Sequence, residues 1–256
     1  MTRWLIPIQK FSSLVLWLAV VPIPLLVGLA ALLAAPFMDR GGSVPFAVLG
    51  CGMTCAAAGG ALVFFPFIAW TRRGGSRDWF DSVARGLGTT AKYPSLFWPT
   101  VCPHLQATVD AREVRIQLLR QGGLIGAYRP GGSGILPWSM FVSVSGTSPV
   151  LFAVFPAGTT LLMAPGLWSG RPVKVADTAF SARWVLATDN PALAGRLAAD
   201  TEFLAAASKA AAFPAFGIAM LQQDEAKWSG QLRSAVAPGQ VVALVRDLAA
   251  WAGRAE

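Results

Sequence analysis

The N-terminal part of the chain holds two long stretches of apolar and small residues that contain no charge. The first runs from Phe11 to Met38 and the second from Gly41 to Thr71. A helix needs about 20 apolar residues to cross the ~30 Å hydrocarbon core of a bilayer. One charge at the bilayer centre costs roughly 2.5–3.5 kcal/mol. The pattern therefore predicts two transmembrane helices, at about residues 11–36 and 44–70, rather than two buried helices of a soluble protein.

The link between the two stretches is short, which predicts an antiparallel transmembrane hairpin over residues 1–73. Only residues 39–43 clearly lie between the two predicted helices. A cleaved signal peptide is the alternative for the first stretch, with Ala34, Ala35 and Pro36 near its end. The usual apolar region of a signal peptide is about 7–15 residues long, so the length of this stretch favours a retained helix. Pro22 and Pro24 should kink that helix, because proline lacks the N–H donor and crowds the preceding turn.

Basic residues flank the hairpin on one side and predict its orientation. Cytoplasmic flanks of membrane helices are enriched in Lys and Arg. In the connecting turn Asp39 and Arg40 cancel, whereas the outer flanks carry Arg3, Lys10, Arg72, Arg73, Arg77, Arg85 and Lys92. Both termini are therefore expected in the cytoplasm.

Composition agrees with a membrane protein. Hydrophobic residues make up 54% of the 256 residues and charged residues 13%, against about 25% charged residues in ordinary soluble domains. Three cysteines are too few for a secreted fold held together by disulfides.

The net charge of +8 belongs mostly to the membrane-proximal part of the chain. Residues 1–92 contain eight Lys or Arg against three Asp or Glu. Anionic lipid headgroups are the natural partner of such a segment, and we expect Arg72, Arg73, Arg77 and Arg85 to contact them. No basic cluster follows residue 92, so a nucleic-acid partner is not expected.

Small residues recur every four positions in the second helix. Such spacing lets helix backbones approach closely in lipid. Gly28, Ala31 and Ala35 of the first helix are the expected counterpart, while a second copy or another membrane protein is the alternative. The predicted interface consists of Cys51, Gly52, Cys55, Ala56, Gly59 and Gly60.

Residues 74–105 form a predicted juxtamembrane connector. Trp79, Phe80, Val83 and Leu87 recur at nearly helical spacing beside basic residues. This pattern is typical of an amphipathic helix. Such a helix either lies on the membrane surface or packs on the domain that follows.

Residues 106–256 predict a soluble α+β domain, in which an antiparallel, strand-rich sheet is followed by C-terminal helices. Short apolar or alternating segments separated by Gly and Pro indicate strands. The predicted strands are Glu113–Leu119, Leu124–Tyr128, Trp138–Val144, Val150–Phe155, Thr159–Met163, Val173–Val175 and Phe180–Thr188. A third membrane span over 149–168 is the alternative for the charge-free part of this region, although Pro149, Pro156 and Pro165 interrupt it.

The C-terminal part is mostly helical. Helices are predicted after the caps Asp189–Asn190–Pro191 and Asp200–Thr201–Glu202 and from Pro238 onwards. Phe213–Leu221 is predicted to be a strand or a buried segment, and a short strand is predicted around Trp228. In the last helix one apolar stripe is formed by Val241, Leu244, Val245, Leu248 and Trp251, a spacing that predicts a core-facing side.

The layout of two N-terminal membrane helices, glycine-separated strands and the segment FSARWVLATDNPALAGRLAADTEFLAAASKA at 180–210 resembles uncharacterised bacterial inner-membrane proteins. The resemblance implies their topology, with the larger domain inside the cell, and implies no catalytic residues.

Groups that could carry chemistry are few. Cys102 and His104 are candidate catalytic residues or half of a metal site, but a structural zinc site needs four ligands. Cys51 and Cys55 share a helix face that could attract copper(I), whereas Met53 points to the other side. The adjacent carboxylates Asp224 and Glu225 are predicted to face solvent, and no cofactor is expected.

Two functions follow from these patterns. The first is a membrane-anchored, non-enzymatic interaction, scaffold or assembly protein that binds a membrane-protein partner or a second copy. The second is a membrane-associated enzyme acting on a lipid-linked or amphipathic substrate.

Overall fold

A computed structural model describes residues 2–37, 40–67, 69, 77–95, 97–98, 101–120, 138–158, 171–222, 224–232 and 236–255. The chain divides into two compact units. The helical unit comprises Met1–Gly75 and Tyr93–Pro103, and the sheet unit comprises Ser76–Lys92 and His104–Glu256. The predicted connector, residues 74–105, contributes to both units.

Two long helical segments make up most of the described part of the helical unit. The first contains α1 (Thr2–Val20), α2 (Pro22–Ala34) and the 3-10 turn Ala35–Phe37, and the second contains α3 (Arg40–Gly59) and the π-helical turn Gly60–Phe64. The first segment is interrupted at Val21, directly before Pro22. Prolines at positions 22 and 24 remove two backbone donors, which explains the interruption where the sequence predicts a kink.

Both segments are long and apolar enough to cross a membrane. The candidate spans are Gln9–Phe37, with 29 residues, and Val44–Phe67, with 24 residues. In the most apolar window of each span, only 17% and 18% of the residues are buried. The helices therefore differ from core helices of a soluble protein, because they expose large aliphatic side chains such as Leu26, Leu33, Val48 and Leu62.

The sheet unit is built on one antiparallel sheet. In the described residues its strand order is β1-β2-β3-β8-β7-β4-β6-β5. The strands are β1 (His104–Val109), β2 (Arg112–Arg120), β3 (Trp138–Ser145), β4 (Phe152–Pro156), β5 (Arg171–Pro172), β6 (Trp184–Thr188), β7 (Phe216–Leu221) and β8 (Glu225–Leu232). The helices are α4 (Arg77–Gly86), α5 (Thr178–Ser181), α6 (Pro191–Ala199), α7 (Thr201–Ala211) and α8 (Pro238–Ala255).

The core lies between one face of the sheet and the helices α4, α7 and α8. The ring of Phe203 on α7 lies 5.1 Å from that of Phe152 on β4 and 5.9 Å from that of Trp251 on α8. All five residues of the apolar stripe predicted for the last helix are buried. That stripe is the surface that joins α8 to the sheet.

Helix α4 decides between the two interpretations of residues 79–87. Phe80 and Val83 are fully buried, and the indole N–H of Trp79 donates to the carbonyl oxygen of Val236. A Cβ on Gly86 would meet the side chain of Val242 on α8. The amphipathic helix therefore packs on the sheet unit, and its apolar face is used there rather than at a membrane surface.

Some strand boundaries differ from the predicted ones. The strand expected over Phe180–Thr188 begins only at Trp184, because the Asp177 carboxylate accepts hydrogen bonds from the N–H groups of Ala179 and Phe180 and starts the short helix α5. The strand expected at Val173–Val175 is replaced by β5, two residues earlier. The described part of segment 149–168 contains the sheet strand β4 instead of a membrane span. The predicted strands Leu124–Tyr128 and Thr159–Met163 lie outside the described residues.

Candidate functional site

The two apolar segments meet at a pair of glycines. A Cβ on Gly50 of α3 would lie 2.8 Å from the carbonyl oxygen of Gly28 and 2.5 Å from Cγ of Leu32. A Cβ on Gly28 of α2 would lie 2.9 Å from the carbonyl oxygen of Gly50. Beside this crossing, the hydroxyl of Thr54 donates to the Gly50 carbonyl over 2.8 Å. Glycine at both positions lets the two backbones touch, as in other small-residue helix contacts.

The predicted small-residue interface is mostly on the opposite side of α3. The side of α3 that meets α2 carries Gly50, Thr54 and Ala57, and Ala57 is 2% exposed. Of the six predicted residues, Gly60 faces the first segment, where a Cβ would collide with Cγ1 of Val20. The other five are exposed, and we call them the outer face of α3: Cys51, Gly52, Cys55, Ala56 and Gly59.

The outer face of α3 has open space over its glycines. Among the described residues, a Cβ on Gly52 or Gly59 would meet no heavy atom within 4 Å. Residues 50 and 52 are two positions apart, which separates them by about 200° around a helix. Contact within the hairpin and contact with a further helix can therefore use different sides of α3. The expected counterpart residues Gly28, Ala31 and Ala35 are buried.

Gly50→Leu should destabilise the hairpin, whereas Gly52→Leu should not. The larger side chain at position 50 has to displace the backbone of α2, and overpacking of this kind costs about 1–3 kcal/mol. Thermal denaturation of the detergent-purified full chain would measure the difference. Equal melting temperatures for the two variants would show that the Gly28–Gly50 crossing does not hold the helices together.

A cluster of aromatic side chains lies where the segment Tyr93–Pro103 contacts α1 within the helical unit. The ring of Trp17 on α1 stacks on that of Phe65, with centroids 4.0 Å apart, and on that of Phe97, 6.4 Å away. The ammonium group of Lys10 lies 5.6 Å from the centroid of the Trp98 ring. Two side chains of the first candidate span thus contact an aromatic pair from a later part of the chain, and one of them, Trp17, also stacks on Phe65 of the second span.

The two candidate catalytic residues lie in different structural settings. Cys102 is buried; its N–H donates to Oε1 of Gln9, and Nε2 of Gln9 donates to its Sγ over 3.5 Å. His104 is the first residue of β1, where its backbone exchanges two hydrogen bonds with Lys92. These contacts give Cys102 and His104 roles in packing and strand pairing.

The candidate metal ligands are not gathered into a site. Cys51 and Cys55 are exposed on the outer face of α3. Within the part of the chain that the structure describes, no group of three or more His, Cys, Asp or Glu side chains could hold a metal ion.

The four arginines expected at lipid headgroups fall into two sets. Arg77 and Arg85 are exposed on α4 of the sheet unit; Arg77 pairs with Asp81 over 3.7 Å, and Arg85 donates to the Ser82 hydroxyl over 2.9 Å. Arg72 and Arg73 lie outside the described residues.

A buried polar cluster, which sequence reasoning missed, lies on the sheet face opposite the helices. The carboxylate of Glu225 pairs with the ammonium group of Lys227 and accepts a hydrogen bond from Ser143. The same ammonium group donates to Oε1 of Gln222 over 2.5 Å. Lys227 is 7% exposed and Ser143 is 5% exposed. Glu225 was expected to face solvent, but β8 begins at this residue and the sheet register places it beside Ser145, whereas Asp224 is exposed.

The environment of Glu225 sets its protonation. Burial raises the pKa of this carboxyl, but the hydrogen bonds from Lys227 and Ser143 and the positive charge of Lys227 lower it by more. The pKa of Glu225 is therefore below its ordinary value of 4.5, and the group is ionised at neutral pH. A charged, fully engaged carboxylate of this kind suits a structural ion pair better than general acid–base catalysis.

We expect the sheet unit to lose stability as the pH falls below 4.5, the ordinary pKa of Glu225. A carboxyl whose pKa is lower in the folded than in the unfolded state stabilises the fold above its unfolded pKa, and this contribution disappears as the pH falls through the folded pKa. Denaturation of the wild type and of Glu225→Gln across this pH range would test it. The variant should show a shallower acid dependence, and identical slopes would contradict the assignment.

An open groove of about 480 Å³ lies between α5 and α7. The side chains of Phe180 and Leu204 are buried at its base, and Asp177, Arg183 and Ser208 also line it. The carboxylate of Asp177 is already engaged in capping α5. Neither Cys102 nor His104 lines this groove.

Comparison with known proteins gives no family. No family model and no curated protein matches the chain. Among solved structures, the crystal structure of the mycobacterial trehalose monomycolate transport factor A, TtfA, is similar, with a TM-score of 0.40 and 13% sequence identity. The likeness covers 64% of this chain and 72% of that chain. A similarity of this degree carries no functional argument.

Proposed function

We propose that this protein is a membrane-anchored, non-enzymatic assembly protein of the bacterial inner membrane, with both termini in the cytoplasm. In this proposal the hairpin of α1, α2 and α3 spans the bilayer and binds another membrane helix, and the sheet unit is held at the cytoplasmic side. The observation that carries the proposal is the outer face of α3, whose small residues are not needed for the contact between α2 and α3.

Membrane anchoring is supported by what the helical unit exposes. Large aliphatic side chains cover the outside of both candidate spans, and a bilayer removes such surface from water at a gain of about 25 cal/mol per Å². The basic flanks lie at the outer ends of the hairpin and not at its turn, which favours cytoplasmic termini.

Binding of a further helix is supported by the chemistry of the outer face. Lipid tails are as apolar as leucine, so helices in a membrane associate through close backbone approach more than through the hydrophobic effect. Cys51, Gly52, Cys55, Ala56 and Gly59 offer that approach on the side of α3 turned away from Gly28. A helix whose only role was to pair with α2 would need small residues on one side alone.

A non-enzymatic role is supported by the two candidate catalytic residues. The thiol of Cys102 is buried against Gln9, and His104 takes part in strand pairing. The buried ion pair of the sheet unit, Glu225 with Lys227, is engaged within the fold, where Ser143 donates to Glu225 and Lys227 donates to Gln222.

The proposal is tested by comparing the mass of the complex formed by the wild type with that formed by matched leucine variants. The full chain is purified in mild detergent and its mass measured by blue-native electrophoresis. Gly52→Leu and Gly59→Leu should dissociate the complex, whereas Ala30→Leu should not, because Ala30 is an exposed small residue of α2 outside the outer face. A monomeric, partner-free wild type, or equal behaviour of all three variants, would contradict the proposal.

The native cysteines distinguish the two kinds of partner. Oxidation in isolated membranes should join Cys51 or Cys55 of two copies if the partner is a second copy, and each substitution to alanine should reduce that product. Co-purification of a different membrane protein that is lost with Gly52→Leu would instead identify a heteromeric assembly. Alkaline phosphatase fused to the C-terminus should be inactive if that terminus is cytoplasmic.

A further inference from the structure

The segment Tyr93–Pro103 presents two neighbouring aromatic side chains to the surroundings of the helical unit. Phe97 is 70% exposed and Trp98 is 40% exposed. Aromatic side chains have 150–250 Å² to bury, and Trp favours sites with one apolar and one wet end. We therefore expect both rings to be removed from water by a partner that the helical unit itself does not provide.

Contacts with α1 fix the height of each ring along the candidate span. Trp98 lies against the ammonium group of Lys10, and Phe97 stacks on Trp17. Lys10 and Trp17 are seven residues apart, which is about 10 Å along a helix. Lys10 is the last charged residue before the charge-free run, so Trp98 lies at its charged edge and Phe97 lies farther into it.

This arrangement matches the depth profile of a bilayer leaflet. Trp and Lys are typical of the headgroup level, where the ring and the long lysine side chain reach both media. Apolar groups of interfacial segments lie about 5–10 Å deeper, at the boundary with the acyl chains. Along α1, Trp98 lies at the level expected for headgroups and Phe97 at the level expected for acyl chains, and the distance along α1 between the residues that contact the two rings is similar to the distance between those levels.

We infer that Phe97 and Trp98 form a lipid-contacting element, in which Trp98 lies among the headgroups beside Lys10 and Phe97 enters the acyl region of the same leaflet. The occupant is the bilayer itself, because Phe97 stacks on Trp17 of the first candidate span, and Trp17 in turn stacks on Phe65 of the second. The inference rests on the proposed membrane anchoring. It adds to the two candidate spans a lipid contact that lies outside the hairpin. In the sequence, a membrane-surface position of the helix at 79–87 is one of two alternatives for this region, and Phe97 and Trp98 carry no such prediction.

The test measures the depth of spin labels in the full chain. Nitroxides are attached at Phe97→Cys, Val27→Cys or Thr108→Cys after replacing Cys51 and Cys55 by Ala and Cys102 by Ser. Val27 is an exposed position of α2, and Thr108 is an exposed position of β1 in the sheet unit. The proteins are reconstituted in vesicles of phosphatidylethanolamine and phosphatidylglycerol, and collision with oxygen and with a water-soluble nickel chelate is compared.

We expect the label at position 97 to behave like that at position 27, with an oxygen-to-nickel accessibility ratio several-fold higher than at position 108. If the label at position 97 collides with the nickel chelate while the label at position 27 does not, the proposed lipid contact of Phe97 is wrong, although the proposed membrane anchoring is supported. If position 27 is also open to nickel, the proposed anchoring itself fails. Protection of position 97 from both reagents would overturn the inference in favour of cover by protein.

Discussion

Replacing Lys227 with alanine should lower the free energy of unfolding of the sheet unit by about 3–5 kcal/mol, because removal of one partner leaves a buried charge without compensation. The side chains of Lys227 and Glu225 are 9% and 17% exposed. Once the ammonium group is removed, the carboxylate keeps the hydrogen bond from Ser143 but loses its positive partner. The loss would be measured in the full chain, from the hydrogen exchange of amides in β3 and β8, which reports local stability.

Two control variants separate the ion pair from general effects of charge. Lys174→Ala, at an exposed position outside the helices and strands, should change stability by no more than about 0.5 kcal/mol. The double variant Lys227→Met with Glu225→Leu should recover most of the loss, since apolar residues of similar volume often replace buried pairs at little cost. If Lys227→Ala is as stable as Lys174→Ala, the pair does not contribute to the fold.

Replacing Trp251 with alanine should cost about 3–5 kcal/mol, the usual range for a buried aromatic residue. The side chain is fully buried on α8 and its ring lies 5.9 Å from that of Phe203. Its removal leaves a cavity where α7 and α8 meet the sheet. Guanidinium denaturation of the full chain, followed by near-ultraviolet circular dichroism, would record the loss.

Trp251→Phe is the informative comparison. Among the described residues the indole Nε1 of Trp251 has no hydrogen-bond partner, so phenylalanine removes no polar contact there. We expect a loss below about 1.5 kcal/mol, as for other apolar replacements of similar shape. Arg246→Ala, on the exposed side of the same helix, should be nearly neutral. Equal losses for Trp251→Phe and Trp251→Ala would contradict the assignment of the loss to the aromatic volume that alanine removes.

The helices of the sheet unit were the most predictable part of the fold. Their signals are local: Asp200 accepts hydrogen bonds from the N–H groups of Glu202 and Phe203 at the start of α7, and the stripe of α8 repeats at helical spacing. A cap and a periodic face act within a few residues of each other, so both can be found in the sequence without knowing the rest of the fold.

The strand β1 was missed because its turn has an unusual composition. Asp110 and Ala111 join β1 to β2 with φ of 49° and 60°, and Val109 pairs directly with Arg112. Two-residue hairpins with positive φ usually carry Asn-Gly or Asp-Gly. Because alanine stands at the second position, the sequence does not indicate a hairpin turn here. The pairing of β1 with β2 offsets the strain of the two positive φ angles.

The spacing of small residues in α3 predicts a surface for close helix contact, but it does not predict which helix that surface contacts. The four-residue repeat identified Cys51, Cys55 and Gly59 as a row of small residues, but a helix can turn any side towards its neighbour. The contact between α2 and α3 depends on Gly28 meeting Gly50, which lies outside the predicted interface. That match is a property of two helices together, and therefore cannot be derived from the pattern of one. The same holds for Glu225 and Ser143, which are 82 positions apart.

The strand order of the sheet has a consequence for how the protein is made. Strand β3 finds its second neighbour only in β8, so the middle of the sheet stays open until nearly the whole chain has been synthesised. Such distant pairings form slowly, and an unpaired strand edge invites aggregation. The segments α1 to α3 leave the ribosome long before β8. Under the proposed anchoring, the nascent chain is already tethered at the bilayer while its sheet is incomplete, so insertion comes first and folding of the sheet unit comes last.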